Sequence, residues 1–337
     1  MIYPKWLEDK DCIGVTAVSD GVSDPLDVKR FNNAAKKLEL LGHEVVFTDN
    51  VFTADEKGRS SEARIRATQF HELIDNEKIK CIIAAKGGNY LNEMLEYIDY
   101  EKFCERPVWF QGYSDNTGLI HTLTTKYDIA TIYGNNFGDF GMDSWHSSVT
   151  YNLELLENKK TTFNSYSMFQ DGFVDRVTGL EDYKLEKDVC WKSYNNKKTT
   201  FKGRLLGGCL DVLLFLQGTK YDCTMNFIEK YKEDGIVWYF ESFSTDSENL
   251  MMFLWKLKTI GWFKYCKGIM FGRPLFYNTF SNTSYEEAVL YGLGDLGIPI
   301  IFDCDFGHKP PRLPIINGAV ATVECENGEG RIMYHFE

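Results

Sequence analysis

Short apolar runs alternate with amphipathic stretches through residues 13–133, and this alternation limits the fold more than any other feature of the chain. Ile13 to Val18, Glu44 to Thr48, the Ile-rich Lys80 to Ala85, Val108 to Phe110 and Ile129 to Tyr133 read as strands. Helical patterns lie between them. Asp24-Pro25 supplies an N-cap and a proline at the first helical position; Val28, Phe31, Ala35 and Leu38 follow at helical spacing, and Gly42 closes the segment. Ser61-Glu62 opens a helix along Ala67, Phe70 and Leu73, another runs through Met94, Leu95 and Ile98, and a further one buries Leu119, Ile120 and Leu123. Strand and helix repeated in this way call for an α/β fold: a parallel sheet with helices on both faces. Such a sheet binds its ligand at the carboxyl ends of its strands.

Residues from about 140 to 200 break the pattern. They are polar and weakly periodic, and read as a linker and loop-rich insert. A second block follows. Arg204 to Gly208 precedes a helix along Leu210, Leu213 and Leu216, and Gly235 to Phe240 is a strand ending in Glu241. Asn249 to Thr259 and Ser284 to Leu293 read as helices, Lys267 to Phe271 and Ile298 to Phe302 as strands, and Gly318 to Val323 with Arg331 to Phe336 as a closing β pair. At 337 residues two domains are expected. We divide the chain at 1–160, 161–200 and 201–337, with the nucleophile in the first part and the acid and base in the last.

A net charge of −12 argues against nucleic-acid and anionic-membrane partners, since phosphate contacts need clustered Lys and Arg. No apolar run is long enough for a transmembrane helix, and the first residues lack a signal-peptide core. Nine scattered cysteines without a Cys-x-x-Cys pair suggest free, mostly buried thiols, so a cytoplasmic location is expected. No metal motif and no Gly-Lys-Ser/Thr phosphate loop is present. Of the histidines, His43 and His71 read as surface residues and His121 as a packed one.

Candidate chemistry gathers at strand ends. Pro107 to His121 reads as strand, sharp turn, helix, the setting in which a turn lifts one side chain off the sheet and leaves the next N–H free. The lifted residue would be Ser114 and the free N–H that of Asp115. A serine in this place is also an ordinary helix N-cap. Glu241 and His308 each follow an apolar strand. Serine needs a base, imidazole titrates near neutral pH, and a carboxylate fixes the imidazole tautomer. Against this, Glu241 can be a solvated strand end and His308 a loop residue packed on Pro310. Gly87-Gly88 reads either as a tight turn or as a second oxyanion donor, because glycine lets backbone approach a substrate closely.

Lys86-Gly87-Gly88-Asn89, Gly112-Tyr113-Ser114-Asp115, Tyr133-Gly134-Asn135-Asn136-Phe137, Gly203-Arg204-Leu205-Leu206-Gly207-Gly208, Tyr239-Phe240-Glu241, Gly272-Arg273-Pro274 and Phe306-Gly307-His308 occur in an order that spans most of the chain. In these pieces the sequence resembles the LD-carboxypeptidase family of serine peptidases, in particular its microcin C immunity branch. The resemblance implies a triad of Ser114, Glu241 and His308, an oxyanion hole formed by the N–H groups of Asp115 and Gly88, and no cofactor. It implies an N-terminal α/β sheet domain, a smaller β-rich α/β C-terminal domain, and a homodimer. Gly87 and Asn89 would line the substrate site. Cys209 and Ser242, where the family usually has other residues, would line it too, which leaves substrate choice open. Family members trim murein tetrapeptides at an L,D bond; the immunity branch cleaves an amide between an acidic residue and a nucleotide-like group. Trp191 in the insert is a candidate to stack on that base, or else a tryptophan packed on the domain. The expected function is therefore a serine carboxypeptidase-type amide hydrolase acting on aminoacyl-nucleotide amides. The alternatives are a murein L,D-carboxypeptidase and an α/β protein that binds a ligand without turnover.

Overall fold

A computed structural model describes residues 1–195 and 198–336. The expected alternation builds the first sheet. Its strands are β1 (Cys12–Thr16), β2 (Val45–Phe47), β3 (Ile79–Ala84), β4 (Trp109–Gly112) and β5 (Thr131–Tyr133), parallel and ordered β5-β4-β3-β1-β2. The helices between them are α1 (Pro25–Leu40), α2 (Ala63–Asp75), the short α3 (Leu91–Met94) and α4 (Tyr100–Glu105), and α5 (Thr117–Tyr127). The Asp24 carboxylate accepts the N–H groups of Leu26 and Asp27, so α1 starts where its cap requires. Phe70 of α2 packs flat on Phe103 and edge-on to Phe110 of β4, each 5.8 Å away. Burying a side chain of this size contributes about 1.5–3 kcal/mol.

The polar stretch is more ordered than its composition suggests. Ser147–Leu156 forms a helix, α6, where we expected loop. Val149, Leu153 and Leu156 do fall on one buried face, but three residues among many polar ones leave a weak period. Beyond it lie β6 (Thr162–Asn164), the small pair β7 (Met168–Phe169) and β8 (Lys187–Asp188), and β9 (Lys192–Ser193).

The second sheet is β10 (Thr199–Cys209), β11 (Ile236–Glu241), β12 (Cys266–Gly272) and β13 (Ile300–Cys304), parallel in that order. The hairpin of β15 (Val320–Glu326) and β16 (Glu329–His335) extends it antiparallel beside β10. β6 and β9 form its two edges, so both ends of the polar stretch add strands to this sheet. Helices α7 (Leu210–Leu216), α8 (Thr224–Lys230), α9 (Ser247–Thr259) and α10 (Tyr285–Leu293) complete it, the last started by a Ser284–Glu287 capping box. Trp238 of β11 stacks on Trp262 at 5.0 Å in its core.

One strand crosses over. β14 (Ile315–Asn317) leaves the C-terminal part and pairs antiparallel with β5 at the edge of the first sheet. The two sheets are thereby tied together, and the ends of β4, β11 and β13 come to one cleft. Two histidine readings are settled by packing. His121 is buried, bonded through Nε2 to Thr224 Oγ1 at 2.8 Å. His43 is not a surface residue: it is buried, with Nε2 3.0 Å from Glu157 Oε1 of the segment after α6.

Candidate active site

Ser114 follows β4 in a left-handed conformation, φ +67°. That conformation is costly for a residue with a Cβ and persists only where surroundings impose it. Here they do. The Ser114 N–H donates to Tyr133 Oη (3.1 Å), Thr117 Oγ1 donates to the Ser114 carbonyl (2.7 Å), and Asn116 Nδ2 donates to the Tyr113 carbonyl (2.9 Å). The Ser114 hydroxyl makes no capping bond to α5, so the N-cap alternative does not describe it. It sits instead 2.9 Å from His308 Nε2.

The other face of the imidazole meets Glu241, Nδ1 to Oε2, at 2.8 Å. Glu241 is fully buried at the end of β11. Burial alone would raise its pKa. The charge and hydrogen bond of His308, with hydrogen bonds from Tyr133 and Cys209, outweigh burial and hold the carboxyl below its ordinary range. Tyr133 Oη donates to Glu241 Oε1 at 2.5 Å. With Nδ1–H donated to the carboxylate, Nε2 is the nitrogen free to accept the serine proton. Gly307 makes the approach possible: its φ is +98°, and a Cβ there would lie 2.7 Å from Glu241 Oε2. The rings of Phe243 (4.9 Å) and Tyr113 (5.4 Å) flank His308.

Gly87 lies against Ser114. A Cβ on it would be 3.0 Å from the Ser114 Oγ and 3.6 Å from the Asp115 nitrogen. Behind it, Gly88 has no room for a side chain, since Ser19 Oγ and Asp20 would fall within 2.4 Å of a Cβ. The Asp115 carboxylate turns inward, accepting from Ser19 Oγ (2.5 Å) and the Leu91 N–H (2.8 Å). It thereby fastens the glycine loop to the Ser114 turn.

These groups open onto a cleft of about 1040 Å³ that is also lined by Asn89 and Cys209. Burial first, then the nearby charges of Glu241 and Asp211, push the Cys209 thiol well above its usual pKa, so it is not a nucleophile. Two expected lining residues are elsewhere. Ser242 is buried with its hydroxyl by Tyr285, because the chain turns after Glu241 and sends the next side chain away from the cleft. Trp191 is buried too, 1% exposed, with Nε1–H donated to Asp305 Oδ2 at 2.9 Å. It is pinned where the chain passes the β15–β16 hairpin before entering β9: its backbone N–H donates to the Gly328 carbonyl at 2.9 Å and its ring lies on Gly330 of β16, where a Cβ would be 1.9 Å from it. Trp191 supports the segment leading to His308 and cannot stack on a ligand.

The sequence reading missed Tyr133 as the residue joining Ser114 to Glu241, and the exposed rings of Phe173, Phe215 and Phe243 along the cleft. Only the family piece that begins at Tyr133 hinted at the first. Lys86 and Arg176 are the cations in the lining, with Arg176 paired to Asp27. Among the described residues, no three His, Cys, Asp or Glu gather as metal ligands, and no helix is long and apolar enough to cross a membrane.

Comparison with known proteins agrees with this architecture. Residues 13–134 match the LD-carboxypeptidase N-terminal domain and residues 202–323 the LD-carboxypeptidase C-terminal domain. A Vibrio cholerae protein named as a carboxypeptidase is 26% identical, over 97% of this chain and 96% of its own. The microcin C7 self-immunity protein MccF of Escherichia coli is 24% identical, over 80% of this chain and 78% of its own. The solved structure of an MccF-like protein from Bacillus anthracis superposes with a TM-score of 0.83 at 25% identity, covering 99% of this chain and 100% of that one. MccF in complex with aspartyl sulfamoyl adenosine superposes equally well, at 0.83 and 22% identity, covering 100% and 99%. With both family domains matched in order over most of its length, the chain belongs to the LD-carboxypeptidase family of serine peptidases, on its MccF-like branch.

Proposed function

We propose that this serine carboxypeptidase cleaves aminoacyl-nucleotide amides of the microcin type, with Ser114, His308 and Glu241 as its triad. The observation that carries the reading is the continuous line from Glu241 through His308 to Ser114 at the wall of the cleft. Ser114 Oγ attacks the amide carbonyl while His308 Nε2 takes its proton, and Glu241 stabilises the imidazolium. The N–H groups of Asp115 and Gly88 receive the oxyanion, and Gly87 leaves the space in which it forms. His308 then protonates the leaving nitrogen, and water releases the acyl group by the reverse sequence.

Substrate choice rests on the lining. MccF structures hold aspartyl sulfamoyl adenosine and glutamyl sulfamoyl guanosine. In this chain Phe173 and Phe215, 65% and 76% exposed, offer the flat surfaces that Trp191 does not. Stacking a base on such a ring is worth about 1–3 kcal/mol. Lys86 and Arg176 are the cations within reach of an acidic end. One observation favours murein peptides instead: Asp20, Asp24, Asp139 and Asp211 also line the cleft, which suits a substrate that carries an amine. The experiment is to incubate the protein with an aminoacyl-sulfamoyl nucleotide and with an L,D-tetrapeptide and to read products by mass spectrometry. Cleavage of the nucleotide amide in preference is expected, and Ser114→Ala should lower it by roughly three to six powers of ten. Preference for the tetrapeptide would replace the substrate assignment, and turnover surviving in Ser114→Ala would end the triad assignment.

A further inference from the structure

Tyr133 stands where the two sheets meet. It is the last residue of β5 in the first sheet, and Glu241 is the last residue of β11 in the second. Its phenol donates to Glu241 Oε1 at 2.5 Å and accepts the Ser114 N–H at 3.1 Å. Both partners are otherwise committed: Glu241 Oε2 faces His308, and the Ser114 hydroxyl faces the far side of the same ring. Tyr133 is 1% exposed and Glu241 0%, so the bond between them is shielded from water. The ring is held between Tyr113 at 6.5 Å and Tyr239 at 5.7 Å, which fixes the direction of the hydroxyl.

We propose that Tyr133 is a positioning residue that couples the nucleophile turn to the triad carboxylate, closing a ring of hydrogen bonds through Ser114, His308 and Glu241. The inference rests on the triad reading above and extends it. Two consequences follow. Because the phenol occupies the Ser114 N–H, the oxyanion is left to Asp115 and the glycine loop. Because the phenol binds one carboxylate oxygen, Glu241 is restricted to presenting the other to His308 Nδ1. Residues from both sheets thus enter one network, and the triad is complete only when the sheets are docked.

Tyr133→Phe keeps the ring and removes the hydroxyl. With the phenol donor gone, Glu241 Oε1 loses its partner and the carboxylate is free to turn away from His308 Nδ1. The test is steady-state kinetics of the full-length protein together with the 15N spectrum of its labelled histidines, which reports the ring nitrogen that carries the proton, with His308 identified by its loss in His308→Gln. We expect a mixture of the two His308 tautomers where the wild type holds one, and a fall in kcat of about ten- to hundred-fold with KM within about threefold. In a Glu241→Gln background the same change should be nearly silent. An unchanged His308 tautomer, an equal loss in the Glu241→Gln background, or failure of Tyr133→Phe to fold would each overturn the proposal. If the wild-type protein turned over no amide, the substrate assignment would fall while the tautomer signal still decided the role of Tyr133.

Discussion

A methyl group at residue 87 asks whether the scissile carbonyl sits between the glycine loop and Ser114. In Gly87→Ala the new Cβ would lie 3.0 Å from both Cβ and Oγ of Ser114 and 3.6 Å from the Asp115 nitrogen. Ordinary contacts between carbon atoms are about 3.5–4.0 Å, so Ser114 must move by about half an ångström. Its backbone has little freedom to do so at φ +67° with its N–H and carbonyl both bonded. The larger effect is on the substrate. An oxyanion must come within about 2.7–3.1 Å of its donors, and the methyl group takes up that space. A misplacement of about 1 Å costs roughly a hundredfold, and loss of one oxyanion donor roughly a hundred- to thousandfold. We therefore expect kcat/KM to fall by about two to four powers of ten, chiefly in kcat. Gly87 has no left-handed backbone, so alanine is conformationally acceptable and stability should change by less than about 1 kcal/mol. Steady-state kinetics on the best cleaved amide, with a parallel thermal melt, gives both numbers. Activity within threefold of wild type would refute the placement of the carbonyl. A melt lowered in step with activity would mean that the glycine serves packing instead.

Trp191→Phe should act on stability and not on base recognition. It removes one of two donors to Oδ2 of buried Asp305, which keeps the Tyr166 N–H there and Arg273 on Oδ1, and should cost about 1.5–3 kcal/mol in urea unfolding. Any loss in kcat/KM should be equal for substrates with and without a base, and a loss confined to base-bearing substrates would contradict the buried role. The pairing of Glu241 also has a pH signature. Its folded pKa is depressed, so its contribution to stability is present above the ordinary carboxylate value of about 4.3 and is lost as pH falls through the folded value. The stability gap between wild type and Glu241→Gln should be constant from about pH 7 to 5 and shrink below about pH 4. A gap that stays level down to pH 3 would show that the pairing is not what depresses the carboxyl.

Local periodicity carried much of this molecule. Strands β1 to β5 and the cap at Asp24 could be read because each depends on a few neighbouring residues: an apolar run, a proline at the first helical position, a glycine after the last turn. Ser114, Glu241 and His308 could be singled out for the same reason, as polar groups just past apolar strands, and the recurring pieces around them supplied the family. Their meeting could not be read. Ser114 and His308 are 194 positions apart, and the contact exists because β14 runs back to β5 and docks one sheet on the other. Composition misled in the polar stretch, where α6 hides its face among hydrophilic residues and the segment ends as two edge strands. Trp191 shows the limit most clearly. Its side chain suits a base-stacking platform or a buried prop equally well, and only the passage of the chain across the β15–β16 hairpin, which lays the ring on Gly330 and its indole N–H on Asp305, made it the prop. Tyr133 is the converse case: a strand-end tyrosine with nothing in its neighbours to mark it, given its role by a carboxylate 108 positions away. Sequence determines what each segment can form and which groups can do chemistry. Which of those groups share a buried space depends on long-range packing that no short window of residues contains.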